Sequence, residues 1–254
     1  MNRLILFLCV IFALLLIIGC EEEPTSAIDP PEALVLEGGS NGHDLMLNWS
    51  ASTTTDIEGY RVYYDGTQIW EGTETEYTHP NAELGEYEIV GYRDEEESDP
   101  ITHDTHDNIE TGSGMIYAFY VSGEPSGYGW NLSTGSGSSY SFSTENAAYI
   151  DFYYDNADDL TSADVYSGDF PNGTWFSVSS TAYNSLALAP TTSEASYYNY
   201  VTPTLNETYA VNIEKDGSYD TYAKMQITAM DDTENSISFN WTLQTIDNWR
   251  VLGD

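Results

Sequence analysis

Carboxylates are the side chains of this sequence whose type and spacing most directly suggest chemistry. Four aspartates lie within nine consecutive positions: Asp151, Asp155, Asp158 and Asp159. Calcium binds about six to eight oxygen ligands, and a short acidic segment can supply several of them. The segment therefore predicts a calcium site with these four residues as ligands. It has no glycine at the sharp-turn position of an EF-hand loop, and solvated acids at strand ends are the alternative interpretation.

Tyrosine is the most frequent aromatic residue, with 21 copies, and two groups of tyrosines are candidates for ligand binding. One group is Tyr197, Tyr198 and Tyr200, which lie between segments rich in serine and threonine. The other is Tyr149 and Tyr153, which share the expected outer face of a predicted strand. An exposed tyrosine presents a flat apolar ring and a hydroxyl, which suit both sugar rings and protein partners. The alternative is that these rings pack over loops.

Catalytic groups other than carboxylates are scarce in the second half of the chain. All four histidines precede residue 107, and no cysteine follows Cys20, so a nucleophile paired with histidine cannot be assembled there. No phosphate-binding loop is present. Paired carboxylates, which glycosidases use, remain, but acids are so numerous that any one pair carries little information. The sequence predicts a protein that is not an enzyme and that has no cofactor apart from the calcium considered above.

The chain is strongly acidic, with 42 Asp and Glu against 6 Lys and Arg, for a formal net charge of −36. Such a field repels phosphate backbones and anionic lipid headgroups. We therefore expect no nucleic acid among the partners of this protein. Docking to a membrane through a basic surface is excluded for the same reason.

The N-terminus has the pattern of an export signal. Fifteen unbroken apolar residues, 4–18, end in Gly19 and Cys20. The run is as long as a secretory signal and shorter than the roughly 20 residues of a spanning helix. Its ending, Ile-Ile-Gly-Cys, resembles the lipobox of bacterial lipoproteins, which implies a signal peptide over residues 1–19 and lipid on Cys20. We expect a lipid-anchored protein of the cell envelope, in the outer membrane and facing the periplasm or the cell surface; an uncleaved membrane anchor is the alternative.

Short alternating runs separated by turn residues predict β structure after the signal, and no segment has a convincing helical period. The lipidated Cys and an acidic, proline-bearing tether occupy residues 20–31 and lead into a first domain over residues 32–107. Residues 108–114 end in Gly-Ser-Gly, which predicts a linker. A larger domain follows over residues 115–254. The predicted fold class is all-β, with two β-sandwich domains in tandem after the lipoprotein signal peptide.

The first domain carries a spaced pattern of apolar, aromatic and turn residues. The matching positions are Pro31, Leu45-x-Leu-x-Trp49-Ser50, Asp56-Ile57-x-Gly59-Tyr60-x-Val62-Tyr63 and Gly85-x-Tyr87-x-Ile89. This pattern resembles the fibronectin type III family. The resemblance implies a sandwich with Trp49 in the core between its sheets and with Tyr87 in a corner contact through its hydroxyl. Both residues are then structural, and the domain is a spacer.

Two segments of the second domain, at residues 222–227 and 238–244, read Tyr-Ala-Lys-Met-Gln-Ile and Ser-Phe-x-Trp-x-Leu-Gln. They resemble the closing strands of HmuY-type haem-binding lipoproteins. That family commonly ligates haem through histidines, which this domain lacks, so Met225 or Met230 would have to serve as axial ligands. At strand spacing, these methionines are also ordinary core residues.

Together these patterns predict a membrane-anchored, exported lipoprotein that binds or adheres without catalysis. The ligand would be a glycan or a protein, and the second domain would present its binding surface on the fibronectin type III-like spacer. A structural component of the cell envelope without a soluble ligand is one alternative. Capture of haem or another small ligand is the other.

Overall fold

The computed structural model describes residues 27–215 and 220–253, and over these residues the protein is all-β. Strands there pair only in the antiparallel sense, and the helical segments are four short 3-10 helices. The expected signal peptide and the expected lipidated Cys20 lie outside the described residues. Within the described ranges, no helix has the length and apolar character needed to cross a membrane.

The N-terminal sandwich consists of two facing sheets. Its strands are β1 (Glu32–Gly38), β2 (Leu45–Ser50), β3 (Gly59–Tyr64), β4 (Thr67–Gly72), β5 (Glu76–His79), β6 (Glu86–Arg93), β7 (Glu96–Glu97) and β8 (Ile101–Asp104). One sheet has the order β1-β2-β5, and the other has the order β4-β3-β6, with β7 and β8 both pairing with β6. The 3-10 helix Thr105–Asn108 follows β8 and ends this part of the chain.

Alternation along the strands decides which side chains lie between these two sheets. Leu45, Leu47 and Trp49 alternate with more exposed residues along β2, and all three are buried, as predicted. Trp49 packs edge to face against Tyr60 and Trp70, an arrangement that aromatic pairs prefer. The expected place of Trp49 in the core is therefore confirmed.

Tyr87 is also buried, but its hydroxyl does not make the expected corner contact. The hydroxyl lies 2.7 Å from Nδ1 of His79 on β5. The hydroxyl of Tyr64 instead donates to a backbone group, the carbonyl oxygen of Leu84, at 2.7 Å. The role that the family resemblance implied for Tyr87 was wrong because a histidine on the opposite sheet is the partner of its hydroxyl.

The larger sandwich also consists of two sheets. Its strands are β9 (Ile109–Tyr117), β10 (Gly127–Asn131), β11 (Ser136–Tyr140), β12 (Phe152–Tyr154), β13 (Leu160–Ser162), β14 (Gly173–Ser179), β15 (Tyr200–Val201), β16 (Thr208–Glu214), β17 (Asp220–Asp231) and β18 (Ser236–Gln244). The sheets have the orders β11-β10-β12-β13-β15 and β14-β16-β17-β18-β9. The remaining 3-10 helices are Ala147–Tyr149, Ala163–Val165 and Tyr183–Ser185.

Strand β18 places every second side chain in the core between the two sheets. Ile237, Phe239, Trp241 and Leu243 all face the core of the larger sandwich and are at most 4% exposed. The indole N–H of Trp241 donates to the hydroxyl of Tyr128 at 2.6 Å. This bond satisfies a polar group that would otherwise be costly to bury.

The prediction of a linker over residues 108–114 is wrong, because all of these residues except Asn108 belong to strand β9. This strand pairs with β18 over nine residues and forms an edge of its sheet. At Gly112, an added Cβ would come within 2.3 Å of the indole ring of Trp241. The glycine therefore admits a core aromatic ring rather than loosening the chain, and one sandwich follows the other without a flexible segment.

The last described residues return to the N-terminal sandwich. Trp249 is fully buried in the core cluster of that sandwich, together with Ile246 and Val251. The N–H of Gly38 donates to the carbonyl oxygen of Asp247 at 2.7 Å. The prediction assigned the whole of residues 115–254 to the second domain, whereas this final segment packs as part of the first.

Candidate functional site

Asp151, the first residue of the predicted calcium site, is fully buried and already has partners. Its carboxylate accepts a hydrogen bond from the backbone N–H of Trp130 at 2.7 Å. It also forms an ion pair with Nζ of Lys215. Burial raises the pKa of Asp151, and the Lys215 ammonium opposes that shift. Asp151 therefore serves the interior of the sandwich and faces no open site.

The carboxylates of the other three aspartates also have protein partners, and that of Asp159 accepts a hydrogen bond from the hydroxyl of Thr202 at 2.6 Å. One carboxylate oxygen of Asp155 accepts from the backbone N–H groups of Ala157 and Asp159 at 2.7 and 3.0 Å. Asp158 accepts from the hydroxyl of Tyr120 at 3.3 Å. Over residues 27–215 and 220–253, no three His, Cys, Asp or Glu side chains are grouped so that they could hold a metal ion. The predicted calcium ligands do not converge.

Tyr149 and Tyr153 do not share an exposed face. Tyr149 lies in a 3-10 helix, is 58% exposed and stacks on Tyr140 with ring centroids 5.8 Å apart. Tyr153 lies in β12 and is buried, with its ring stacked on Phe142 at a centroid distance of 4.2 Å. The prediction of an exposed Tyr153 is wrong because aromatic rings from a neighbouring segment cover that face of the sheet.

The tyrosines of the 197–200 segment divide between two positions. Tyr197 is half-buried, and its hydroxyl donates to the carbonyl oxygen of Pro190 at 2.8 Å. Tyr198 and Tyr200 are both 58% exposed. Tyr197 and Tyr198 line a groove on the sheet that contains β14, β16 and β17, whereas Tyr200 belongs to β15 of the other sheet. We call the groove that Tyr197 and Tyr198 line the aromatic groove.

A row of side chains across three strands forms the floor of the aromatic groove and continues past it at Tyr222, which does not line this groove. Trp175 on β14, Asn212 on β16 and Tyr222 on β17 lie directly opposite one another. Residues opposite each other in antiparallel strands present their side chains on the same face. Burial raises the pKa of the Tyr222 hydroxyl, and the nearby carboxylate of Asp220 acts in the same direction. The floor is therefore polar and aromatic at once.

Trp175 is supported by a glycine on its own strand. Its six-membered ring lies over Gly173, where an added Cβ would come within 2.6 Å of the ring. The ring uses the space that a side chain would fill, while the tryptophan as a whole stays partly exposed. A supported, partly exposed indole is a suitable platform for stacking a flat ligand.

The groove has a volume of about 560 Å³, which is within the range of small-ligand sites. It is lined by Trp175, Thr192, Ser196, Tyr197, Tyr198, Asn212, Glu214 and Asp220. The carboxylates of Glu214 and Asp220 are opposite each other on β16 and β17, and these lining residues include no Lys, Arg, His or Cys. The arrangement can stack rings and exchange hydrogen bonds, and its lining holds no His or Lys that could activate a hydroxyl as a nucleophile.

Sequence reasoning found Tyr197 and Tyr198 but missed the floor of the groove. A signal was present at Trp175. Trp175 and Phe176 are consecutive, so in a strand their side chains point to opposite faces, and one of the two rings must lie on the face away from the core. Tyr222 before Ala223 is the same signal, with the larger residue on the outer face. What the sequence could not show is that these strands are neighbours in register.

The methionines considered for haem ligation do not form a site. Met225 is fully buried in the core between the sheets, and Met230 is 38% exposed at the other end of β17. The two segments from which haem binding was expected, residues 222–227 and 238–244, lie on adjacent, paired strands, β17 and β18. That pairing is a feature of the sandwich and brings no ligand into place.

Comparison with solved structures finds domains of the fibronectin type III type. The crystal structure of FN3tt is 22% identical, over 31% of this chain and 91% of that chain, with a TM-score of 0.27. The structure of FN3tt mut is also 22% identical, over 30% of this chain and 92% of that chain, with a TM-score of 0.26. No protein-family model and no curated protein matches the sequence. The strand pairing described above defines the class: an all-β protein of two β-sandwiches.

Proposed function

We propose that this protein is an exported, lipid-anchored binding protein without catalytic activity, and that its larger sandwich binds a glycan in the aromatic groove. The lipobox-like ending at Cys20 supports the anchor. The outer membrane is the proposed location. The larger sandwich supplies the binding surface, and the N-terminal sandwich connects it to the anchor.

The observation that carries this proposal is the supported indole of Trp175 beside polar groups. A sugar ring has an apolar C–H face and a rim of hydroxyls, so it needs an aromatic surface flanked by hydrogen-bonding side chains. Trp175 and Tyr198 offer the aromatic surface. The hydrogen-bonding side chains are those of Asn212, Glu214 and Asp220. The groove volume of about 560 Å³ is that of a small-ligand site, which favours a glycan over a protein partner.

The test is a glycan array probed with the soluble chain 21–254, in calcium and in chelator. We expect saturable binding that is equal in both conditions, because the acids at 151–159 are engaged with the protein itself. The variants Trp175→Ala and Tyr198→Ala should each weaken binding by at least about tenfold, the loss expected for a central aromatic contact.

The matched control is Tyr120→Ala, because Tyr120 is 52% exposed and its hydroxyl contacts Asn235, which follows the end of β17 opposite to the groove residue Asp220. This variant should bind like the wild type. In addition, incubating the protein with the glycans that it binds should release no new reducing ends. A blank array, or binding that survives both groove substitutions, contradicts the proposal and leaves a protein partner or a structural role.

A further inference from the structure

A second groove, of about 640 Å³, opens between the two sandwiches and joins the aromatic groove. The two share Thr192, Tyr197, Asn212 and Asp220. The other side of the second groove belongs to the N-terminal sandwich, which contributes Glu37, Gly38, Gly39, Ser40, Asn41, Gly42 and Met46. A ligand that leaves the Trp175 platform past Tyr197 therefore meets the first domain.

The wall from the N-terminal sandwich is held in position by the C-terminal segment. At Gly38, a Cβ would come within 2.3 Å of the backbone of Asn248, so the two segments touch without a side chain between them. The N–H of Asn248 in turn donates to the carbonyl oxygen of Asp220 at 2.7 Å. Trp249, the next residue, is buried in the N-terminal core. The wall and the floor are thus joined by one short stretch of chain.

Arg250 reinforces this junction from inside the groove. Its side chain is 6% exposed, and its Nε donates to the carbonyl oxygen of Asn41 in the N-terminal sandwich at 3.0 Å. A second guanidinium nitrogen donates to the carbonyl oxygen of Ala189 in the larger sandwich. The same nitrogen lies 3.5 Å from a carboxylate oxygen of Glu194. The guanidinium of Arg250 is therefore bound by groups of the protein itself and is not available to a ligand.

The charge of the joined groove restricts its ligand. Glu37, Glu214 and Asp220 line it, and Arg250, the one cation among the described lining residues, is held as above. The whole chain adds a formal charge of −36. A carboxylate- or sulfate-bearing glycan would meet like charges in a narrow space, which disfavours binding.

We infer that the N-terminal sandwich is one wall of the binding site and that the ligand is an extended glycan chain, uncharged or cationic, that contacts both domains. The inference rests on the proposed function and deepens it. The fibronectin type III-like domain is then part of the receptor rather than a spacer alone. Affinity should grow with chain length beyond the units that Trp175 and Tyr198 can cover.

The experiment compares length series of three oligosaccharide types by titration with the full soluble chain 21–254. The probes are the neutral glycans that the protein binds on the array, glucosamine oligomers as cationic chains, and galacturonate oligomers as anionic chains. The variant Ser40→Trp places a large ring on the N-terminal wall, and Ser50→Trp places it at the opposite end of β2 as the control. Both serines are exposed.

We expect tight binding of long neutral or cationic oligomers and at least tenfold weaker binding of anionic ones. Ser40→Trp should remove the gain with chain length and leave the shortest bound oligomers unaffected, while Ser50→Trp should change neither. If Trp175→Ala abolishes binding but Ser40→Trp leaves the length dependence intact, the inference is overturned and the proposed function stands. If the anionic series binds best, the inference is likewise overturned. If no series binds, both fall together.

Discussion

The two sandwiches differ in where they keep their aromatic side chains. From residue 27 to residue 108, every tyrosine and tryptophan is buried or half-buried. In the described part of the larger sandwich, five tyrosines are more than half exposed: Tyr120, Tyr149, Tyr166, Tyr198 and Tyr200. Rings left in water contribute little to folding, since apolar burial is what stabilises. The smaller sandwich is built around its rings, and the larger one displays some of them.

The smaller sandwich even takes an aromatic ring from outside its own sequence range. A domain of fewer than about 100 residues buries a limited apolar surface. Trp249, Ile246 and Val251 come from the end of the chain and enlarge its core. The contrast is therefore between a tryptophan that stabilises, Trp249, and a tryptophan that is available to a ligand, Trp175.

The largest expected effect is on stability and comes from Trp249→Ala. Removing a fully buried indole leaves a cavity, and such substitutions lower the free energy of unfolding by about 3–5 kcal/mol. Urea unfolding followed by circular dichroism measures the change. Trp175→Ala is the matched control, and it should lower the free energy of unfolding by about 1–2 kcal/mol, because its indole is only partly buried. Equal losses in the two variants would erase the contrast drawn above.

A second, somewhat smaller effect is expected at the buried ion pair of the larger sandwich. Asp151→Ala leaves Lys215 without its partner in a largely buried place, and breaking such pairs costs about 3 kcal/mol. Asp158→Ala, in an exposed loop, should change the free energy of unfolding by about 0.5 kcal/mol or less. The same urea curves should not move between calcium and chelator. Calcium-dependent stabilisation that is lost in Asp151→Ala would restore the metal site that the structure argues against.

The smallest effect is a pH dependence located in the smaller sandwich. Burial lowers the pKa of His79 below 6.5, although the carboxylate of Asp44 opposes the shift. The unfolded chain then binds the proton more readily, so this contribution to stability is present above about pH 6.5 and is lost as the pH falls below it. The urea midpoint of the wild type should fall more between about pH 7.5 and about pH 5.5 than that of His79→Phe. Parallel falls in the two proteins would show that His79 does not contribute.

Local alternation was sufficient to predict parts of both cores. The inward residues of β2 and β18 follow from period-two patterns that need no knowledge of neighbouring strands. The burial of Asp151 could not be predicted in this way, because its partner Lys215 lies 64 residues along the chain. Likewise, Gly112 read as a linker residue, and only the ring of Trp241 opposite it explains why it is a glycine in a strand.

The candidate site shows the same division between local and distant information. Two of the five tyrosines proposed from sequence, Tyr197 and Tyr198, line the aromatic groove. Trp175 and Asn212 complete it only because β14 and β16 pair in the register that places them opposite each other. Sequence patterns state which residues share a face of one strand, whereas packing decides which faces are covered.

The most direct test of glycan binding in the aromatic groove is hydroxyl-radical footprinting of the chain 21–254, read by mass spectrometry. The samples are the protein alone and the protein with the glycan that it binds most strongly on the array. If the glycan binds in the aromatic groove, it protects Trp175 and Tyr198 from oxidation, while Tyr149 and Tyr166 react equally in both samples. Protection at Tyr149 or Tyr166 with none at Trp175 would place the binding site on the other sheet and contradict binding in the aromatic groove.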